Sequence, residues 1–100
     1  MEKTYETRNL LAADANKTIT IVGAGDTKVP HEFGYFTVLD DTNHTIAFWD
    51  GDPTDTESTL ICTKLGNMAD GTYWFKRPIV RGLYAVIVAS YAGNIVVGYN

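Results

Sequence analysis

From residue 18 onward, apolar positions recur at every second residue and not at the three-to-four-residue spacing of a helix. Thr18-Ile19-Thr20-Ile21-Val22 alternates polar and apolar side chains and is mostly β-branched, the pattern of a half-buried strand. Tyr35 to Leu39 follows, with Phe36 and Val38 on one face, and Thr45 to Trp49 is the next such run. Between them Asp40-Asp41-Thr42-Asn43 is turn-forming, because short Asp and Asn side chains hydrogen-bond nearby backbone. Residues 35–49 therefore read as a hairpin, ended by Asp50-Gly51. The stretch Asp52 to Ser58 has no aliphatic or aromatic residue and reads as a solvated loop.

The second half keeps the rhythm. Thr59 to Lys64 is a short strand, Gly66 to Gly71 a loop, and Thr72 to Phe75 an aromatic strand that Pro78 either breaks or marks as a sheet edge. Leu83 to Ala89 is the most apolar segment, and Ala92-Gly93-Asn94 turns the chain into a last strand, Ile95 to Tyr99. About seven to eight short strands at intervals of roughly 8 to 12 residues predict an all-β fold, an antiparallel β-sandwich or barrel. Residues 1–16 are expected to be an N-terminal arm or short helix, and residues 17–100 a single β-sandwich domain.

Composition changes this picture little. A chain of 100 residues with 45% hydrophobic and 20% charged residues makes one globular domain with a modest core. Its net charge of −4 and eight scattered basic residues argue against nucleic-acid binding, which needs concentrated Lys and Arg. No run approaches the roughly 20 apolar residues of a membrane span, and the Leu10 to Ala13 patch is too short for a signal-peptide core. A single cysteine, Cys62, excludes an intrachain disulfide. These features are those expected of a soluble chain folded in a reducing cytoplasm. The Asn-x-Thr triplets at Asn16 and Asn43 are the feature pointing the other way.

The residues that could carry chemistry do not assemble into a motif. Ile21-Val22-Gly23-Ala24-Gly25 begins like a dinucleotide-binding loop, but Lys28 stands where the third glycine is required and no helix pattern follows. Asp50, Asp52, Asp55 and Glu57 cluster without the spacing of a calcium loop. His31, His44 and Cys62 make a weak zinc set, and Cys62 between Ile61 and Thr63 reads as a core thiol. No catalytic residue, cofactor or metal site is expected.

Surplus apolar surface is the stronger signal. In Leu83 to Ala89 both faces are apolar: Leu83, Ala85 and Ile87 on one, Tyr84, Val86 and Val88 on the other. A two-sheet sandwich buries only one face of each sheet, so the second face needs the N-terminal arm, a closed barrel or another subunit. Trp49, Tyr73, Trp74, Phe75, Tyr84, Tyr91 and Tyr99 also exceed what a small core holds, and strand alternation puts Tyr73 and Phe75 on one face and Trp74 on the other. Tyr84, Val86, Val88, Trp49 and Trp74 are the candidate interface residues. Exposed aromatics in a β-sandwich also fit a carbohydrate- or protein-binding module.

Three segments carry a resemblance: Ala47-Phe48-Trp49-Asp50-Gly51, Pro78-Ile79-Val80-Arg81-Gly82-Leu83-Tyr84-Ala85-Val86 and Ile95-Val96-Val97-Gly98-Tyr99. Over about residues 35–100 the chain resembles small β-rich virion structural proteins of tailed bacteriophages: capsid decoration, head-fibre or tail-associated subunits. The resemblance implies a non-enzymatic virion protein, assembled in the host cytoplasm. Such a protein would be a homo-oligomer, with a trimer favoured, docked on a capsid or tail protein without nucleic-acid or membrane partners.

Overall fold

A computed structural model describes residues 5–22, 31–40, 44–64, 66 and 68–100. The described residues form eight strands: β1 (Glu6–Leu10), β2 (Thr18–Val22), β3 (His31–Asp40), β4 (Ile46–Asp50), β5 (Thr59–Lys64), β6 (Gly71–Ile79), β7 (Leu83–Ile87) and β8 (Asn94–Tyr99). One 3-10 turn, Ala12–Asp14, lies between β1 and β2. The strands make two four-stranded antiparallel sheets, ordered β1-β8-β3-β6 and β2-β7-β4-β5, here called the outer-strand sheet and the central-strand sheet.

The pairings β1–β8, β2–β7, β3–β6 and β4–β5 match first strand with last, second with seventh, and so inward to the acidic loop 51–58. The chain is thus one long antiparallel hairpin, rolled so that β3 also meets β8 and β4 also meets β7. Eight strands connected in this way are a jelly roll, a sandwich whose two sheets exchange successive strands. Among the described strands only the β4–β5 pairing joins consecutive ones.

That connectivity corrects one expectation. Residues 35–49 are not a hairpin, because β3 and β4 lie in different sheets and pair with different partners. Alternation fixes which residues of a strand are buried but says nothing about which strand lies beside it. In the N-terminal stretch, Glu6–Leu10 is a sheet-edge strand with Leu10 fully buried opposite Ile95, followed by the short 3-10 turn Ala12–Asp14. Pro78 lies within β6, tolerated because β6 is an edge. The Gly23 to Gly25 stretch lies outside the described residues.

The core fills the space between the sheets. Phe48 reaches from the central-strand sheet to Phe33 and Phe36 of the other, with ring centroids 5.2 and 5.5 Å away. Phe75 and Tyr73 stack on Phe36 from β6, which confirms their shared face. Leu83, Ala85 and Ile87 of β7 point inward, as do Ile95 and Val97 of β8. Tyr91 is also buried, its hydroxyl donating to the Leu10 carbonyl oxygen, so this aromatic belongs to the core and not to the surplus. Burying a polar group is tolerated when it is hydrogen-bonded, and the fully buried Lys64 donates to the His44 carbonyl oxygen at 3.0 Å.

Candidate functional site

The acidic cluster uses its carboxylates on nearby backbone and on Arg81. The buried Asp50 side chain accepts from the Arg81 N–H at 2.8 Å and from the Val80 N–H at 3.2 Å, tying β4 to the β6–β7 turn. Asp52 accepts from the Thr54 N–H at 2.9 Å and the Thr54 hydroxyl at 2.8 Å, and these bonds hold its carboxyl below the usual value. Glu57 pairs with Arg81 at 3.0 Å. Gly51, Asp52, Asp55, Ser58, Val80 and Arg81 line a shallow, open hollow beside this loop.

The other candidates for chemistry are each at least partly buried. Burial pushes the Cys62 thiol up to about 12, with the Arg77 charge pulling weakly the other way, so at neutral pH it is a protonated thiol packed on the core. His31 Nδ1 lies 2.9 Å from the Asn100 carbonyl oxygen, and the His44 ring sits edge-on to Tyr91. Among the described residues no three of His, Cys, Asp and Glu converge on a point where a metal ion would bind.

The outward face of the central-strand sheet is different. Cross-strand register aligns Thr20, Tyr84, Trp49 and Leu60 in one row, and Thr18, Val86, Ala47 and Thr63 in the next. The structure therefore brings Tyr84, Val86 and Trp49 together, with Tyr84 directly opposite Trp49. Their sheet neighbours leave them half-buried, while Leu60 at the rim is 46% exposed. Neither row holds a charged residue. Val88 lies one residue beyond β7 and is exposed; its carbonyl oxygen accepts from the N–H groups of Asn16 and Tyr91. Sequence reasoning missed Ala47 and Leu60, because nothing local says which strands flank β4.

Trp74 is elsewhere, on the outward face of the other sheet. It packs 4.6 Å from Tyr35 and 5.9 Å from Tyr5 between ring centroids, with Lys76 Nζ 5.6 Å over its own ring. Glycine makes this cluster possible. A Cβ on Gly98 would lie 2.1 Å from the Tyr35 ring, and one on Gly34 would lie 2.4 Å from the Tyr5 ring. The Tyr5 hydroxyl donates to Glu32 Oε1 at 2.5 Å, and this bond to a carboxylate is the main reason its phenol is pushed above the ordinary value.

Comparison with protein-family models, with curated proteins and with solved structures finds no match to this chain. The class that fold and surface define is a small all-β, jelly-roll sandwich. None of its helices is long and apolar enough to cross a membrane, among the described residues.

Proposed function

We propose that this chain is a non-enzymatic assembly subunit, a virion structural protein of the capsid-decoration, head-fibre or tail-associated kind, which self-associates and docks on a particle. The observation that carries the reading is the uncharged outward face of the central-strand sheet, where Trp49 and Tyr84 meet between Ala47, Val86 and Leu60. Interfaces are depleted in charge and enriched in Trp and Tyr, and a face of this composition loses little when water is expelled from it. The jelly roll supports the reading by analogy alone, since viral capsid proteins and lectins both use it. Light scattering of the wild type, with binding of wild type and Val86→Asp to purified particles, is the test. The expected result is a concentration-stable oligomer of the 11.0 kDa chain for the wild type, and for the variant a loss of particle binding with unchanged circular dichroism. A wild type that stays monomeric at every concentration overturns the reading. Mass spectrometry of purified particles tests the virion part, which fails if the chain is absent from them.

The Tyr5, Tyr35 and Trp74 cluster favours a second reading, a carbohydrate-binding module. Trp74 is 54% exposed beside the paired hydroxyls of Thr37 and Thr72, an apolar ring next to hydrogen-bonding groups. Binding on a broad glycan array that Trp74→Ala abolishes would put this reading first.

A further inference from the structure

The four sheet edges are not equally defended. A free edge strand exposes unpaired N–H and C=O groups, and proteins that stay monomeric blunt such edges with charge, proline or bulges. β1 carries Glu6 and Arg8, the latter 3.3 Å from Asp14. β6 carries Lys76, Arg77 and Pro78 and is bulged near its centre, where Lys76 has a positive φ. β5 is broken mid-strand by a bulge between its pairings with Phe48 and Trp49. β2 reads Thr-Ile-Thr-Ile-Val, without charge or proline; it too is bulged, between Thr20 and Val22 at its C-terminal end, but its pairing with β7 is regular from Thr18 to Thr20.

We infer that the free edge of β2 pairs antiparallel with β2 of a second copy of this chain, across a two-fold axis at Ile19. The hydrogen-bonding phase of the strand carries the inference. Ile87 donates to the Lys17 carbonyl oxygen at 3.0 Å, so in an antiparallel ladder the next bonded pair is Ile19 with Ala85. Thr18 and Thr20 then turn their N–H and C=O groups away from β7, toward the free edge. A two-fold axis at Ile19 sets Thr18 opposite Thr20 of the copy, and Thr20 opposite its Thr18. Both pairs can exchange two backbone hydrogen bonds. The same operation sets threonine beside threonine twice on the outward face and isoleucine beside isoleucine once on the other, and cross-strand pairs of these kinds are favourable. No like charges meet. The result is a continuous eight-stranded sheet whose uncharged face is doubled, and its symmetry closes at two chains where the resemblance favours three.

This rests on the assembly reading, and its test separates the two. Thr20→Pro removes an N–H that β7 does not use, and proline is tolerated at such a position. The double variant Thr18→Lys with Thr20→Lys instead sets like charges opposite each other in both pairs while changing only exposed side chains. Light scattering should give twice the 11.0 kDa of one chain for the wild type and 11.0 kDa for each variant, and in the wild-type dimer the Thr18 and Thr20 amides should be protected from hydrogen exchange. A trimer, a double variant that still dimerises, or unprotected Thr18 and Thr20 amides in the oligomer overturns the edge pairing alone. A wild type that is monomeric at every concentration overturns both.

Discussion

The two sheets of this sandwich present opposite surfaces. The outer-strand sheet has charge on both edges, at Glu6 and Arg8 on β1 and at Lys76 and Arg77 on β6, and its outward rings sit on glycines of neighbouring strands. Its aromatic cluster is packed against itself. The central-strand sheet has two outward rows without a charge and an uncharged β2 edge, and its aromatic pair, Trp49 and Tyr84, has rim residues but, among the described residues, no ring laid across it from another strand. A shared core holds both sheets equally, so the difference concerns solvent and partners rather than folding. One sheet guards its edges with charge and packs its outward rings on one another, though Trp74 stays 54% exposed, and the other presents uncharged rows and an uncharged edge.

Neighbouring residues of β4 give the sharpest way to break that comparison. Phe48 is fully buried between Phe33 and Phe36, so Phe48→Ala should cost about 3–5 kcal/mol in urea unfolding. Trp49→Ala, one position on, should cost the monomer about 1 kcal/mol, since a half-buried outward ring loses less cover. Docking on purified particles should respond in the other direction, with Trp49→Ala losing more of it than its small cost in stability explains. Equal losses of stability at both positions would mean that Trp49 belongs to the core.

The outer-strand sheet supplies the next test. Gly98→Ala drives a methyl into the Tyr35 ring, and displacing that ring disturbs Trp74 and Tyr5 together. Overpacking of this kind costs about 1–3 kcal/mol. The loss should show in the unfolding midpoint and in altered tryptophan fluorescence, with the oligomeric state unchanged. A drop in self-association instead would place the interface on this sheet.

How much of this was legible in the sequence follows from the range of each signal. Alternation is local, so the strands β2, β5, β7 and β8 could be read directly, as could the two faces of β7 and the opposite faces of Tyr73 and Trp74; the bulged β5 and the all-apolar β8 did not show which face is buried. Pairing is not local. Trp49 and Tyr84 stand together only because β4 and β7 are neighbours in the roll, and Leu60 joins them only through the register of β5. Leu10 looked like part of a loose arm because its partner, Ile95, lies at the other end of the chain. Gly34 and Gly98 carried no readable signal at all, because their reason is a ring from a part of the chain distant in sequence, Tyr5 for Gly34 and Tyr35 for Gly98. A topology with one sequential pairing among its strands conceals most of its surface from sequence, and it should also fold slowly for its size.

The smallest effect lies at Tyr5, where the outer-strand sheet ties down its own N-terminal strand. The phenol donates to Glu32 and is held above its ordinary value, first by that hydrogen bond and then by burial and the carboxylate charge. A group whose pKa is raised in the folded state stabilises the fold fully below its unfolded value, and that contribution is lost as pH rises through the folded value. Stability should therefore fall slightly on the alkaline side of the ordinary tyrosine range, and Glu32→Gln should remove most of that slope and bring the Tyr5 titration, followed by ultraviolet absorbance, back toward normal. Tyr99 also titrates high and adds its own alkaline slope, with burial as the first cause, so the readout is the difference between wild type and Glu32→Gln. An unchanged Tyr5 titration in that variant would show that the ring packing over Gly34, and not the carboxylate, sets the phenol. The N-terminal strand would then be held to the sheet by shape alone.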